Sequence, residues 1–530
     1  MNGRTRWYLA LPVLLLAVCV LGSGLAVAQQ TTTGIPCSEI ASRHLMKQDN
    51  MRASMVLVQC GVVPGGRSEP TREFGEDVPQ PPNVLVSNRT CTSQSSCTHS
   101  ESMVWQNTQV GNQTIVVNYN DDTLGNGSNY SGTSYSLDGG NTFTEILPAP
   151  FASGHGTNYG DPLVVYNNKL GKFFAGDLVT ACGGFGVGVW SSPDGMNWTV
   201  AGCPASNDDS DRPSMWVDNN PFSRKYGRMY VSFNNFDIDG GALFVSNSDD
   251  GQTWSTPVQL TTEFIRDVQL TGQLPGPPPP NAGYISNVYL AAMDEGGGGG
   301  NTRQNIMFNS RDGGNTFTEV MVGSRFNPPG DGLCSAGAYF EKINPIIRHM
   351  GWGQPAVGPG NVVHYDYAAK GVLSTGDILY TRSTDGGNTW STPIVLNDPE
   401  TNQYQSHWMP SLNVNYNLAA FQPPEVVTAT WYDRRQATTS CVNVTDPGCM
   451  YQRYAVQSQD NGVTWGSNIA VSPVEPQPAQ DDPEIQSCYA GDYDYSTALN
   501  NNSYTTWTDG RVAINGVNVQ NVFFANVGEP

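Results

Sequence analysis

Seven aspartates close short apolar or aromatic runs: Asp122 (Asn118-Tyr-Asn-Asp-Asp122), Asp177 (Phe174-Ala-Gly-Asp177), Asp237 (Asn234-Asn-Phe-Asp237), Asp294 (Ala291-Ala-Met-Asp294), Asp366 (His364-Tyr-Asp366), Asp433 (Trp431-Tyr-Asp433) and Asp509 (Trp507-Thr-Asp509). Asp161, Asp211 and Asp492 stand where such units begin. Carboxylates are hard oxygen donors and strong acceptors, so a ring of them could hold Ca²⁺, a cationic ligand or a hydroxyl-rich one. Equally, each could simply end its own strand by accepting from local backbone N–H groups. Trp216, Tyr365, Trp408, Trp431, Tyr432, Tyr493, Tyr495 and Trp507 belong to the same units, where aromatic rings can stack on sugars or pack between sheets. Other chemistries are not signalled. The 6 histidines are scattered, with no His-Glu-x-x-His and no Gly-x-Ser-x-Gly, and Gly296 to Gly300 lacks the Gly-Lys-Ser/Thr of a phosphate loop. No cofactor is required by any of these patterns beyond a structural Ca²⁺ on the acidic ring.

The elements that must position these residues are announced by a repeat. Ser383-Thr-Asp385-Gly-Gly387-Asn-Thr389-Trp390 has near-copies at Ser136 to Phe143 (Asp138), Asn247 to Trp254 (Asp249), Ser310 to Phe317 (Asp312) and Ser458 to Trp465 (Asp460). Ser192-Pro-Asp194-Gly-Met-Asn-Trp198 is a copy one residue shorter. Each copy lies between two strand-like runs, which makes it the turn of a β-hairpin. The carboxylate accepts from N–H groups just ahead of it, Gly supplies positive φ, and the aromatic packs on the sheet.

This pattern, S-x-D-x-G-x-T-W, is the Asp box, and with copies from Ser136 to Trp465 the chain resembles the sialidase-like (BNR, Asp-box) β-propellers from about Pro82 onward. The resemblance implies an all-β propeller of four-stranded antiparallel blades. It also places the boxes between the third and fourth strands, on the face opposite a ligand funnel, so that Asp138, Asp194, Asp249, Asp312, Asp385 and Asp460 are structural. The strand-end aspartates outnumber the boxes by one, which favours seven blades; six, the number in the sialidases, is the alternative. The last unit, Gly491 to Ala525, has three strands and no box, and Asn83 to Ser87 can supply its fourth, closing the ring with both chain ends.

The same resemblance implies a function. Sialidases clamp a carboxylate with three arginines and use a Tyr–Glu pair and an aspartic acid in catalysis. The funnel-side candidates here are Arg212, Arg434, Arg435 and Arg511 for the clamp, Tyr493 or Tyr495 as nucleophile, Glu341 as its partner and Asp161 as acid/base. The family's Arg-Ile-Pro segment ahead of the first box has no counterpart; Arg89 is the nearby arginine. Arg434 and Arg511 follow strand-end aspartates, so Asp–Arg pairs bracing adjacent loops are the competing reading. The chain is thus expected to be a glycan-recognising propeller, as an exo-sialidase-type glycoside hydrolase or as a non-catalytic binding or scaffold propeller for protein or polysaccharide.

The ends and the cysteines complete the expectation. Arg4 and Arg6, the apolar run Leu9 to Val20 and Ala26-Val-Ala28 read as a secretory signal over residues 1–28. Residues 29–81 form an N-terminal extension with a weak helical pattern from Ser38 to Val58 and a Pro-rich linker, and 82–530 form the propeller. Cleavage would remove Cys19 and leave an even number of cysteines, suited to an oxidising compartment, extracellular or periplasmic. Cys37 and Cys60 bracket the extension; Cys91–Cys97, Cys182–Cys203, Cys441–Cys449 and Cys334–Cys488 pair naturally on the loops of the funnel face. With 26 basic against 47 acidic residues, nucleic acid is excluded as a partner. No later stretch can span a bilayer, and a monomer is expected.

Overall fold

The runs that end in aspartate are rich in Val, Ala, Tyr and Trp, whose branched or flat side chains suit a pleated surface. Ile115–Asp121, Met229–Asn235 and Val427–Asp433 are buried along their whole length, as strands covered on both faces must be. The computed structural model describes residues 31–67, 81–87, 98–109, 111–122, 129–147, 151, 153–274, 283–330, 332–344, 347–415, 426–443, 446–476, 480 and 482–528. The residues read as a signal, and Cys91 and Cys97, lie outside them.

Among the described residues the strands form six four-stranded sheets and one five-stranded sheet, with two smaller ones. Four-stranded sheets begin at Leu163–Asn167, Ser210–Val217, Arg266–Gly272, Pro355–Val357 and His407–Val414, each running outward through consecutive antiparallel strands. In the five-stranded sheet, Asp494–Tyr495 adds in parallel to His99–Gln106. The remaining sheet runs from Thr497–Leu499 through Asn502–Asp509 and Asn521–Gly528 to Asn83–Leu85, whose residues pair antiparallel with Phe523 to Ala525. The first strands pack on one another in sequence order, and Thr497–Leu499 lies against both His407–Val414 and His99–Gln106.

The register fixes which groups share a face. Val427 pairs with Ser458 and Asp433 with Gln452, so box and strand-end aspartate occupy opposite ends of one sheet. First strands begin beside the strand-end acids, as His407 opposite Asp433 and His99 opposite Asp121 show. The aromatic residues of these units are core: Trp408 stacks on Tyr432 at 5.6 Å between centroids, and Trp216, Tyr365, Trp431 and Trp507 are buried.

In the box at Asp385, the Ser383 hydroxyl donates to the carboxylate at 2.7 Å and accepts the Gly387 N–H at 2.8 Å. Asp385 also accepts from the Thr389 N–H at 2.9 Å and from its hydroxyl at 2.6 Å. Gly387 sits at φ 81, which the turn requires. Asp138, Asp312 and Asp460 repeat the pattern. The third box corrects the sequence reading. Its carboxylate is Asp250, not Asp249: Ser248 donates to Asp250, which accepts the Gln252 and Thr253 N–H groups at 2.8 Å, while Asp249 pairs with Arg228. The hinge of the turn is a serine hydroxyl, and only Ser248 supplies one; with it the spacing matches the short copy at Ser192.

Disulfides join Cys37–Cys60, Cys182–Cys203, Cys334–Cys488 and Cys441–Cys449. In the extension the α-helix is Met51–Gln59, shorter than the periodicity suggested, because Asn50 caps it by accepting the Ala53 N–H at 2.9 Å. No helix of the described residues is long and apolar enough to cross a membrane.

The box carboxylates make a pH prediction. Hydrogen bonds from Thr464 hold Asp460 at about 2 when folded, below the unfolded value near 4. Its contribution to stability is therefore complete above about pH 4 and is lost as pH falls toward about 2. Thermal midpoints of Asp460→Ala and the parent chain should differ at neutral pH and converge across that window; a pH-independent gap would deny the carboxylate this role.

Candidate functional site

The first strands are irregular where they begin. Their register shifts between Ser100 and Ser102, Asp211 and Ser214, Asp267 and Gln269, and Trp408 and Ser411. Glu101 (φ 44), Arg212 (φ 44) and Met409 (φ 50) sit in these bulges in the left-handed region, and Asp161 (φ 62) stands just ahead of Leu163–Asn167. A bulge breaks the in-out alternation and re-aims one side chain. Two of the re-aimed chains are the Glu101 carboxyl and the Arg212 guanidinium, and strain of this kind gathers where function needs it.

Three buried guanidinium groups meet at Asp49, two at its carboxylate and one at its backbone carbonyl. Arg212 donates to Asp49 at 2.6 Å, Arg266 lies 3.1 Å from the other Asp49 oxygen, and Arg348 donates to the Asp49 carbonyl. Arg266 also pairs with Asp211 at 2.9 Å and Glu295 at 3.3 Å, and Arg348 with Asp492 at 2.5 Å. The Arg212 guanidinium lies over Trp352 at 4.2 Å and Tyr493 at 4.8 Å, a cation–π seat on two rings. Arg212 and Arg266 come from adjacent first strands and Arg348 from the short strand Ile347–Arg348 ahead of the next. Asp49 comes from the extension, one residue before the cap of its helix.

The neighbouring carboxyls divide by environment. Burial alone would raise Asp49, but Arg266, Arg212 and Arg348 outweigh it and hold its carboxyl at about 2. Burial and the nearby Asp49 charge push Asp161 and Asp211 well above the usual carboxylate range. Burial, with Asp161 and Asp492, does the same to Glu101. Tyr493 and Tyr495 stack at 4.6 Å. Tyr495 is engaged, donating to the Val268 carbonyl and accepting from Arg212 at 3.4 Å. The Tyr493 hydroxyl has no hydrogen-bond partner among the described residues. Burial raises its pKa, and Glu101 and Asp161 are the two carboxyls that add most to that shift.

Of the residues singled out in the sequence, Asp161, Asp211, Asp492, Arg212, Tyr493 and Tyr495 gather here. Arg434, Arg435, Arg511 and Glu341 do not. Arg435 is bound to Asp433 at 2.6 Å and to Asp398 across the next loop, and Arg511 to Asp509 and Glu475. Arg434 donates to the Tyr404 carbonyl and the Ser406 hydroxyl. The Asp–Arg brace foreseen as the competing reading forms at Arg511 and, in place of Arg434, at Arg435: in each an Asp two residues earlier captures the flexible guanidinium before it can reach the centre. Glu341 lies beside Gly330, and its charge bears on Arg303 rather than on the tyrosines. Glu101 takes the place expected of it.

The strand-end acids are partnered one by one: Asp122, one residue past the end of its strand, with the Thr98 N–H, Asp177 with Asn158, Asp294 with Arg325, and Asp366 with the Gln354 N–H. Three groups of described residues have donor atoms within 4.8 Å of one another. His155, Cys182 and Cys203 are spoken for by the disulfide. Asp49, Asp161 and Asp211 surround guanidinium groups, which supply the positive charge a cation would bring. Asp377, Glu400 and His407 form the third, with His407 Nδ1 3.1 Å from the Gly376 carbonyl.

No protein-family model matches the chain, and no curated protein matches it. Solved structures similar to it include a protein of unknown function from Dyadobacter fermentans, 11% identical, covering 85% of this chain and 98% of that one with a TM-score of 0.40. A Penicillium chrysogenum α-L-arabinanase is 10% identical, covering 85% and 99%, with a TM-score of 0.40. The intramolecular trans-sialidase of Ruminococcus gnavus is 14% identical, covering 82% and 95%, with a TM-score of 0.39. The chain resembles the sialidase-like Asp-box propellers. At these scores its site is read from its own geometry.

Sequence reasoning missed Arg266, Arg348, Glu101 and Asp49. A signal existed for Arg266: Arg266-Asp267 opens its unit as Asp211-Arg212 opens the one before. Arg348 follows an inserted sheet, Gly332–Leu333, Glu341–Asn344 and Ile347–Arg348, that hides its place in the repeat. Nothing in the extension marked Asp49.

Removing one guanidinium strands its carboxylates. Arg266→Met should cost about 3–5 kcal/mol, because Asp49, Asp211 and Glu295 stay buried without it. Denaturant titration checks this: the midpoint should fall with the slope unchanged. A loss within experimental error would show that the cluster does not depend on this ion pair.

Proposed function

We propose that the sheets are seven blades of one closed propeller and that the protein is exported to recognise carboxylate-bearing glycans, with a site of exo-sialidase type. The observation that carries this is the convergence of Arg212, Arg266 and Arg348 on Asp49, the first two on its carboxylate and the third on the adjoining carbonyl, a set of donors matched to a planar anion and its neighbouring oxygen. The four disulfides support export.

In this reading the arginines orient the sugar carboxylate and Tyr493 faces the anomeric carbon. The Tyr493 oxygen attacks that carbon as Glu101, in its ionised form and made a stronger base by its raised pKa, takes its proton, and the aglycone oxygen leaves with the proton of Asp161. Water then attacks the tyrosyl-linked sugar, Asp161 accepts its proton, and Tyr493 is reprotonated from Glu101. Asp161 suits the role of acid because burial and Asp49 keep its proton on. No cofactor enters any step. A non-catalytic binding propeller is the second reading, favoured by the Asp49 carboxylate already lying in the clamp.

The test offers 4-methylumbelliferyl N-acetylneuraminic acid and a panel of other aryl glycosides to the Asp49→Ala protein. Release from the sialoside is expected, abolished by adding Tyr493→Phe and only reduced by adding Tyr495→Phe. With an alkyl-linked sialoside, whose aglycone needs protonation, Asp161→Asn should slow release about 10²–10⁴-fold. Release from another glycoside alone would retain a glycosidase and discard the carboxylate clamp. Silence across the panel would leave the binding propeller.

A further inference from the structure

The extension is a body in its own right. Cys37–Cys60 closes it, the helix Met51–Gln59 runs through it, and Ile35, Leu45, Ala53, Val56, Leu57 and Val63 form a small core separate from those of the sheets. Among the described residues it shares no strand with any of the seven sheets. Its backbone joins the rest through Pro64 to Arg67, which bond to the segment Gln480 to Ser487.

Where it meets the site, the contact is ionic. Asp49 fills the clamp, and the Lys47 carbonyl accepts from Arg266. Asn50 donates to Asp211 at 2.7 Å, and Arg52 pairs with Asp209 at 2.5 Å. Met51 and Met55 add an apolar contact to the main core. The chain thus presents a carboxylate to Arg212 and Arg266 and the carbonyl beside it to Arg348, on a segment that can depart without opening a sheet.

We propose that residues 31–67 are an intramolecular plug in which Asp49 stands in for a ligand carboxylate, so that the site takes a carboxylate ligand only when the plug is displaced. This rests on the reading of Arg212, Arg266 and Arg348 as a ligand clamp. The plug and a ligand carboxylate compete for the same donors, and the apparent affinity is lowered by the fraction of molecules with the plug out. Displacing Asp49 does not leave the arginines unbalanced, because Asp161, Asp211 and Asp492 remain beside them. The ionic contact is buried, and Asp49 holds its charge down to about pH 2, so mild acid does not release it; cleavage or reduction of the Cys37–Cys60 loop can.

The experiment uses the full chain in three forms: intact, Asp49→Ala, and carrying a specific protease site between residues 68 and 80, cut after folding. Calorimetry measures binding of N-acetylneuraminic acid, with its methyl ester as the control lacking the carboxylate charge. If the plug is out in about 1% of intact molecules, both altered forms should bind the acid about 100-fold more tightly than the intact chain, and the ester should show no such gain. Equal binding by all three forms would overturn the plug and leave the clamp standing. Folded Asp49→Ala and cut chains that bind no carboxylate would overturn the clamp, and the plug with it. Loss of the folded state in both would make the extension part of the core and overturn the proposal. Binding gained without sialoside hydrolysis would keep the plug and reject only the catalytic reading.

Discussion

Everything at the centre of this molecule depends on keeping buried charges paired. Arg212, Arg266 and Arg348 are each about 1% exposed or less, as are Asp211, Asp492 and Glu295. An ion removed from water costs several kcal/mol unless partners and hydrogen bonds replace its hydration. The geometry meets that demand by sharing. Arg266 serves Asp49, Asp211 and Glu295, and Glu295 in turn accepts from Trp352 at 2.9 Å and Tyr339 at 2.8 Å. Asp211, Asp492 and Glu295 cannot lose their arginines singly, which is why three successive units of the sheet array and the last one must be assembled together for any of them to be satisfied.

The repeat explains how such a cluster can be built from a plain scaffold. Each unit begins its first strand at the same place, beside the centre, so residues at equivalent positions of successive units fall side by side without any long-range design. A bulge at that place turns Glu101 and Arg212 inward at a backbone cost of order 1–3 kcal/mol, which the ion pairs and aromatic seats around them offset. At the opposite end the Asp boxes bind their own turns and leave nothing free for ligands. One face is closed on itself by short-range hydrogen bonds; the other gathers side chains from distant parts of the chain.

That division also governs what the sequence could reveal. The boxes were legible because their chemistry is local: a serine, a carboxylate and a threonine within eight residues satisfy one another. The single misplacement, Asp249 for Asp250, came from aligning on Asn247 when the hydroxyl of Ser248 sets the turn. Strand endings, the placement of Asn83–Leu85 beside the last strand and the pairs Cys37–Cys60, Cys182–Cys203 and Cys441–Cys449 followed from the repeat and from short spacing, and Cys334–Cys488 was the pair left over. The site was only half legible. Tyr493, Tyr495, Asp161 and Arg212 stood out by type and position, but Arg435 and Arg511 stood out too, and the neighbouring Asp433 and Asp509 hold them at the rim. Arg348 lay behind an inserted sheet, and Asp49 reached the centre from a segment whose pattern announces only a small helix. Contacts made across hundreds of residues leave no trace in spacing.

The carboxyls around the clamp bear on how it can tolerate change. Asp49 is charged because it faces the arginines directly, and its charge, added to burial, is one of the reasons the Asp161 and Asp211 carboxyls are raised above the usual range. These groups form a reserve. When the negative charge in the clamp is withdrawn, the repulsion on Asp161 and Asp211 falls and their protons leave more readily, restoring negative charge beside Arg212 and Arg266. When a carboxylate is present, they are pushed back toward the neutral form, in which a carboxylic acid can donate a hydrogen bond or a proton. The protonation of Asp161 is therefore tied to occupancy of the clamp: the same carboxylate that satisfies the arginines keeps a proton on the acid next to it. Burial raises the Asp161 pKa in either state, and a carboxylate beside the arginines, whether from the chain itself or from a ligand, raises it further.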